Sequence, residues 1–121
     1  MNLVKYVRLS ILFMLLLSTV AMAGNSVNIL VYHHVSSETP PSTSVTPQQF
    51  RQHLSALSEG PFQVVDLAWA LNQIQTGAPL PDNAVAITFD DGYNDIHTNG
   101  MPLLVEFGMP FTVFVSTETI D

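Results

Sequence analysis

A chain of 121 residues with 47% apolar content has room for one domain and is too hydrophobic to stay disordered. Three Lys and Arg against ten Asp and Glu give a formal charge of -7, which excludes a protein built to neutralise nucleic-acid phosphates. The lack of cysteine excludes disulfide frameworks, thiol catalysis and Cys-ligated zinc or iron–sulfur centres.

Residues 1–23 read as an export signal. Lys5 and Arg8 form a basic start, an apolar run from Leu9 to Val20 follows, and Ala21-Met22-Ala23 places small residues where a signal peptidase reads. The run is shorter than the roughly 20 residues that span a bilayer, so an uncleaved anchor is the weaker reading. The expected mature chain begins near Gly24 and retains one basic residue, Arg51, against ten acidic ones. It is expected to be periplasmic or secreted, with no membrane contact after cleavage and no nucleic-acid partner.

The remainder alternates between strand and helix patterns. Val27 to Tyr32 is a short β-branched apolar run, and His33-His34 and a Ser/Thr/Pro-rich loop over 36–46 follow it. Thr46-Pro47-Gln48-Gln49 predicts a helix start, with Thr46 as N-cap, Pro47 at the first helical position and Gln49 completing a capping box. Phe50, Leu54 and Leu57 fall on one face of that helix, and Gly60-Pro61 stops it. Phe62 to Val65 predicts a second strand. Asp66 then caps a helix carrying Leu67, Ala70, Leu71 and Ile74, which ends at Thr76-Gly77. Ala84 to Phe89 predicts a third strand, Met101 to Phe107 a short helix closed by Gly108, and Pro110 to Val115 a fourth strand. The order βαβαβαβ points to an α/β fold with parallel strands, three of them apolar enough to be buried on both faces.

In such folds chemistry gathers at the carboxyl ends of strands, where His33-His34 and Asp90-Asp91 both fall. Neighbours on an extended strand point apart, but Gly92 lets the backbone turn and bring the two carboxylates toward one centre. Adjacent carboxylates repel unless a cation or a shared proton offsets the charge. One reading is a divalent metal held by one carboxylate while the other takes a proton from water; the other is a plain Asp-Gly turn.

The stretch from Ile87 to Tyr93 (ITFDDGY) resembles the first motif, TFDDG, of the polysaccharide deacetylase family, also called the NodB-homology or carbohydrate esterase family 4 enzymes. Phe111 to Val115 (FTVFV) resembles the family's next strand, and Ile29 to Val35 (ILVYHHV) resembles the opening segment of members related to exported poly-N-acetylglucosamine deacetylases. The resemblance implies the N-terminal part of a distorted (β/α) barrel and metal-dependent removal of acetyl groups from an acetylated polysaccharide, usually the N-acetyl of an N-acetylhexosamine. It implies Asp90 as general base and Asp91 as ligand of a divalent metal, usually zinc, beside two histidines of a second motif.

That second motif, His-Ser/Thr-x-x-His, does not occur before Asp121, because the four histidines are His33, His34, His53 and His97. The chain is therefore expected to be an incomplete domain over 24–121, a fragment or truncated product with the activity belonging to the parent, since a full barrel takes about 200 residues or more. His33, His34 and Tyr93 are candidate residues lining the site, and His53 is expected to face solvent. Trp69 lies off its helix's apolar stripe, as packing or as a sugar-stacking platform. A haloacid dehalogenase reading fails because its Asp-x-Asp spacing is absent. A non-catalytic glycan-binding or assembly subunit is the alternative.

Overall fold

The computed structural model describes residues 26–117. The leader expected over residues 1–23 lies outside them. Among the described residues, six strands and three α-helices run in the order β1 (Asn28–Tyr32), β2 (His34–Val35), β3 (Ser44–Val45), α1 (Pro47–Glu59), β4 (Gln63–Val64), α2 (Leu67–Thr76), β5 (Ala84–Asp91), α3 (Met101–Phe107) and β6 (Thr112–Val115), with a π-helical turn, Ile96–Gly100, leading directly into α3.

The four expected strands form one parallel sheet with β5 at its centre. Val85 pairs with Asn28 of β1 on one side and with Val64 of β4 on the other, while Thr88 pairs with Val31 and with Thr112 of β6. The second edge of β5 is thus shared end to end by β4 and β6. The segment expected to be only a loop contains a small second sheet, in which His34 pairs with Ser44 and Val35 with Val45. Two-residue strands carry no periodic signal, and their pairing is decided by tertiary packing.

Helix starts follow the local chemistry. The Thr46 hydroxyl accepts the Gln49 N–H at 3.1 Å while the Gln49 side chain accepts the Thr46 N–H at 2.9 Å, completing the capping box. Asp66 accepts the Trp69 N–H at 2.8 Å and caps α2.

Parallel pairing keeps paired residues on one face, so alternation sorts the sheet. Val85, Ile87 and Phe89 of β5 pack under the helices with Phe50, Leu54 and Leu57 of α1 and Leu104 of α3. Four rings continue this core: Tyr32 meets Phe50 edge-on at 5.0 Å, and Phe89 lies 5.8 Å from Phe50 and 6.0 Å from Phe111. Burial pushes the Tyr32 phenol above its usual pKa, and its hydroxyl lies 3.1 Å from His53 Nδ1. His53 is exposed, as expected, and has this hydrogen bond. On the surface Arg51 of α1 binds both carboxylate oxygens of Glu106 of α3 and, chiefly through that hydrogen bonding, lowers its pKa.

The opposite face carries Ala86 and Thr88 of β5, Ile29 and Val31 of β1, and Phe114 of β6. Among the described strands of this sheet, only β5 is buried throughout its apolar run. Ile29 is 48% exposed, Val31 54% and Phe114 52%, so the expectation of three strands buried on both faces holds for one. On α2, Leu67 and Ala70 are buried, whereas Leu71, Ile74 and Trp69 are exposed; the expected stripe is half as wide as its periodicity suggested.

Candidate active site

His33 follows the last residue of β1 and Asp90 the fully buried stretch of β5, and the pairing of Tyr32 with Phe89 sets them side by side. His33 Nε2 lies 3.8 Å from Asp90 Oδ2, with both side chains about two-fifths exposed (39% and 41%). That separation suits an ion pair and is too long for a hydrogen bond, so Asp90 keeps its carboxylate available to a water or substrate at the rim of the open face.

Asp91 is turned away from the strand's alternation. Continued extension would aim it at the helix side with Phe89. Instead its φ is 69°, Gly92 follows at 72°, and the Gly92 N–H donates to the Asp90 carbonyl at 2.9 Å, closing a γ-turn around Asp91. The turn lets both carboxylates serve the same end of the sheet, and it leaves Asp91 exposed.

His34 has other partners. Its Nδ1 lies 2.7 Å from Asp95 Oδ2, and its ring stacks on Tyr93 at 3.8 Å and 22°. Tyr93 is 42% exposed. The structure therefore sets His33 beside Asp90 and groups His34 with Tyr93. Asp95 was not singled out by sequence, and it is 61 residues from its partner. His97 lies in the π-helical turn, beside Tyr93 and Phe111 in a shallow pocket with Gly92 and Met101. A cavity of about 360 Å³ lined by Tyr32, His33, His34 and residues 42–45 borders the rim.

A metal requires more than these residues assemble. Among the described residues no group of three His, Cys, Asp or Glu converges closely enough to hold an ion. Asp91 alone falls short of the three or four protein ligands that zinc takes. The described residues thus do not close a zinc site by themselves.

A parallel sheet with an acidic pair at the carboxyl end of its central strand places the chain among α/β domains whose site lies at the carboxyl ends of the strands. The comparisons narrow that class. Residues 77–121 match the family model described as polysaccharide deacetylase. YxkH of Bacillus subtilis (strain 168), provisionally named a polysaccharide deacetylase, is 32% identical over 92 residues, covering 76% of this chain and 32% of its own. The poly-beta-1,6-N-acetyl-D-glucosamine N-deacetylase of Escherichia coli (strain K12) is 35% identical over 81 residues, covering 65% of this chain and 12% of its own. Among solved structures, IcaB from Ammonifex degensii superposes with a TM-score of 0.67 at 27% identity, over 76% of this chain and 39% of that one. The chain is thus similar to part of the polysaccharide deacetylases, and its parallel sheet matches the corresponding part of their (β/α) barrel. It spans about a third of the length of YxkH and about an eighth of that of the E. coli enzyme.

Proposed function

We propose that this chain contributes the first catalytic motif of a polysaccharide deacetylase that hydrolyses the N-acetyl group of N-acetylhexosamine units outside the cytoplasm. The observation carrying this reading is Asp90: a half-exposed carboxylate at the end of a buried central strand, with His33 beside it at 3.8 Å and no hydrogen-bond partner among the described residues.

In this reading Asp90 is the general base. Water adds to the acetyl carbonyl carbon as its proton passes to an Asp90 oxygen; the C–N bond then breaks, the amine nitrogen takes up a proton, and acetate leaves. Asp91 would contribute one carboxylate to a divalent metal, zinc in the proposal, whose chemistry there would be to polarise the acetyl carbonyl and acidify water. His33 and Tyr93 line the approach, and the acetylated polysaccharide is the partner. The segment over 1–23 acts as the export signal, and 24–121 as the incomplete deacetylase portion.

The test is acetate release from an N-acetylated glycan by the native exported product, with and without zinc. Asp90→Asn is expected to lower the rate about 10²- to 10⁴-fold, the usual contribution of a positioned base. Release that survives Asp90→Asn overturns the assignment. Glycan binding without any release makes the chain a binding or assembly subunit instead.

A further inference from the structure

Asp95 is held between two polar groups of the β1–β2 segment. Its Oδ1 accepts the Val35 N–H at 2.9 Å, and its Oδ2 lies 2.7 Å from His34 Nδ1. Asn99, four residues on, donates from Nδ2 to the Val35 carbonyl at 2.8 Å. Gly100 packs so closely that an added Cβ would stand 3.2 Å from Val35 Cγ2. One segment, 93–100, therefore fixes both backbone polar groups of Val35 and the ring of His34, which also lies flat on Tyr93.

This arrangement dictates where the imidazole proton sits. A carboxylate only accepts hydrogen bonds, so in the neutral ring Nδ1 carries the proton and Nε2 the lone pair. The His34 side chain is only 13% exposed, yet Nε2 is not a buried atom lacking a partner and makes no hydrogen bond among the described residues, so it opens to solvent. His34 also lines the cavity that borders the rim.

We propose that Asp95 is a positioning residue that locks His34 in the Nδ1–H tautomer, so that Nε2 serves as a fixed acceptor for a substrate hydroxyl or water at the rim of the sheet. The identity of what Nε2 receives rests on the deacetylase reading; the tautomer does not. The isosteric Asp95→Asn separates this role from simple packing. Its amide oxygen must take the Val35 N–H, because opposed N–H groups would both be unpaired. The amide nitrogen then faces His34 Nδ1, which becomes the acceptor, and the ring proton moves to Nε2.

The experiment is a two-bond proton–nitrogen correlation of the histidine side chains on the ¹⁵N-labelled full chain, in alkaline buffer where imidazole is neutral, with the His34 signals assigned by their loss in His34→Gln. The expected result is Nδ1–H in the wild type and Nε2–H in Asp95→Asn. An Nε2–H tautomer in the wild type overturns the proposal whether or not the variant folds, and so does an unchanged tautomer in a folded Asp95→Asn. Acetate release by the native exported product is read in parallel: kcat is expected to fall roughly 10- to 100-fold in Asp95→Asn with KM little changed. A native product that releases no acetate defeats the deacetylase reading while leaving the tautomer result standing.

Discussion

Asp91 occupies a backbone conformation that its predecessors in β5 avoid. A φ of 69° in a residue with a Cβ costs about 1–2 kcal/mol, and the cost sits beside the residue proposed as the base. Gly92 meets a similar demand, at 72°, with no Cβ of its own. A Cβ placed there would lie 3.5 Å from Val115 Cγ1, an ordinary contact, so the penalty of Gly92→Ala is conformational. That variant is expected to lose about 1–2 kcal/mol in urea unfolding. No loss would mean the turn relaxes to another form. The sequence already pointed to Asp90, Asp91 and Gly92, because contiguous carboxylates before a glycine are a local signal. Asp95 left no such signal: an Asp among Asn, Thr and His in a polar stretch acquires meaning only when folding brings His34 and Val35 to it.

The helices were legible because their determinants are local. Thr46, Pro47 and Gln49 lie within one turn, and the capping box they predict is the one that forms. Thr46→Ala removes the hydroxyl acceptor from the Gln49 N–H and is expected to cost about 1 kcal/mol, read as a shift of the urea midpoint at unchanged slope. A change in slope would instead indicate that α1 detaches from the sheet. The π-helical turn over Ile96–Gly100 was not legible, since a single turn whose only large apolar residue is Ile96 carries no periodicity to read. Its place is set by contacts made from outside the helix, from Asn99 and Gly100 to Val35.

Across the whole molecule, the two faces of the sheet are treated differently. One lies under α1 and α3, and the other presents Ile29, Val31 and Phe114 to solvent with Asp90 and His33 at its rim. Apolar side chains exposed together on a sheet favour association. Sedimentation velocity across a concentration series is expected to show self-association, reduced in Val31→Lys, which leaves the helix-side core intact. Equal behaviour of the two proteins would mean that this face is not where chains meet. Strand order and parallel direction could be expected from the alternation of elements, but the exposure of this face could not, because a run such as Asn28–Tyr32 has the same composition whether one side or both are covered.

The central place of β5 also fixes when the sheet can form. Every pairing in the four-stranded sheet includes β5, so β1, although made first, finds no neighbour in that sheet until residues 84–91 have left the ribosome. The chain therefore closes late and through contacts distant in sequence. Such a topology folds slowly compared with a helical bundle of equal length, and the nascent chain stays open to whatever meets it first.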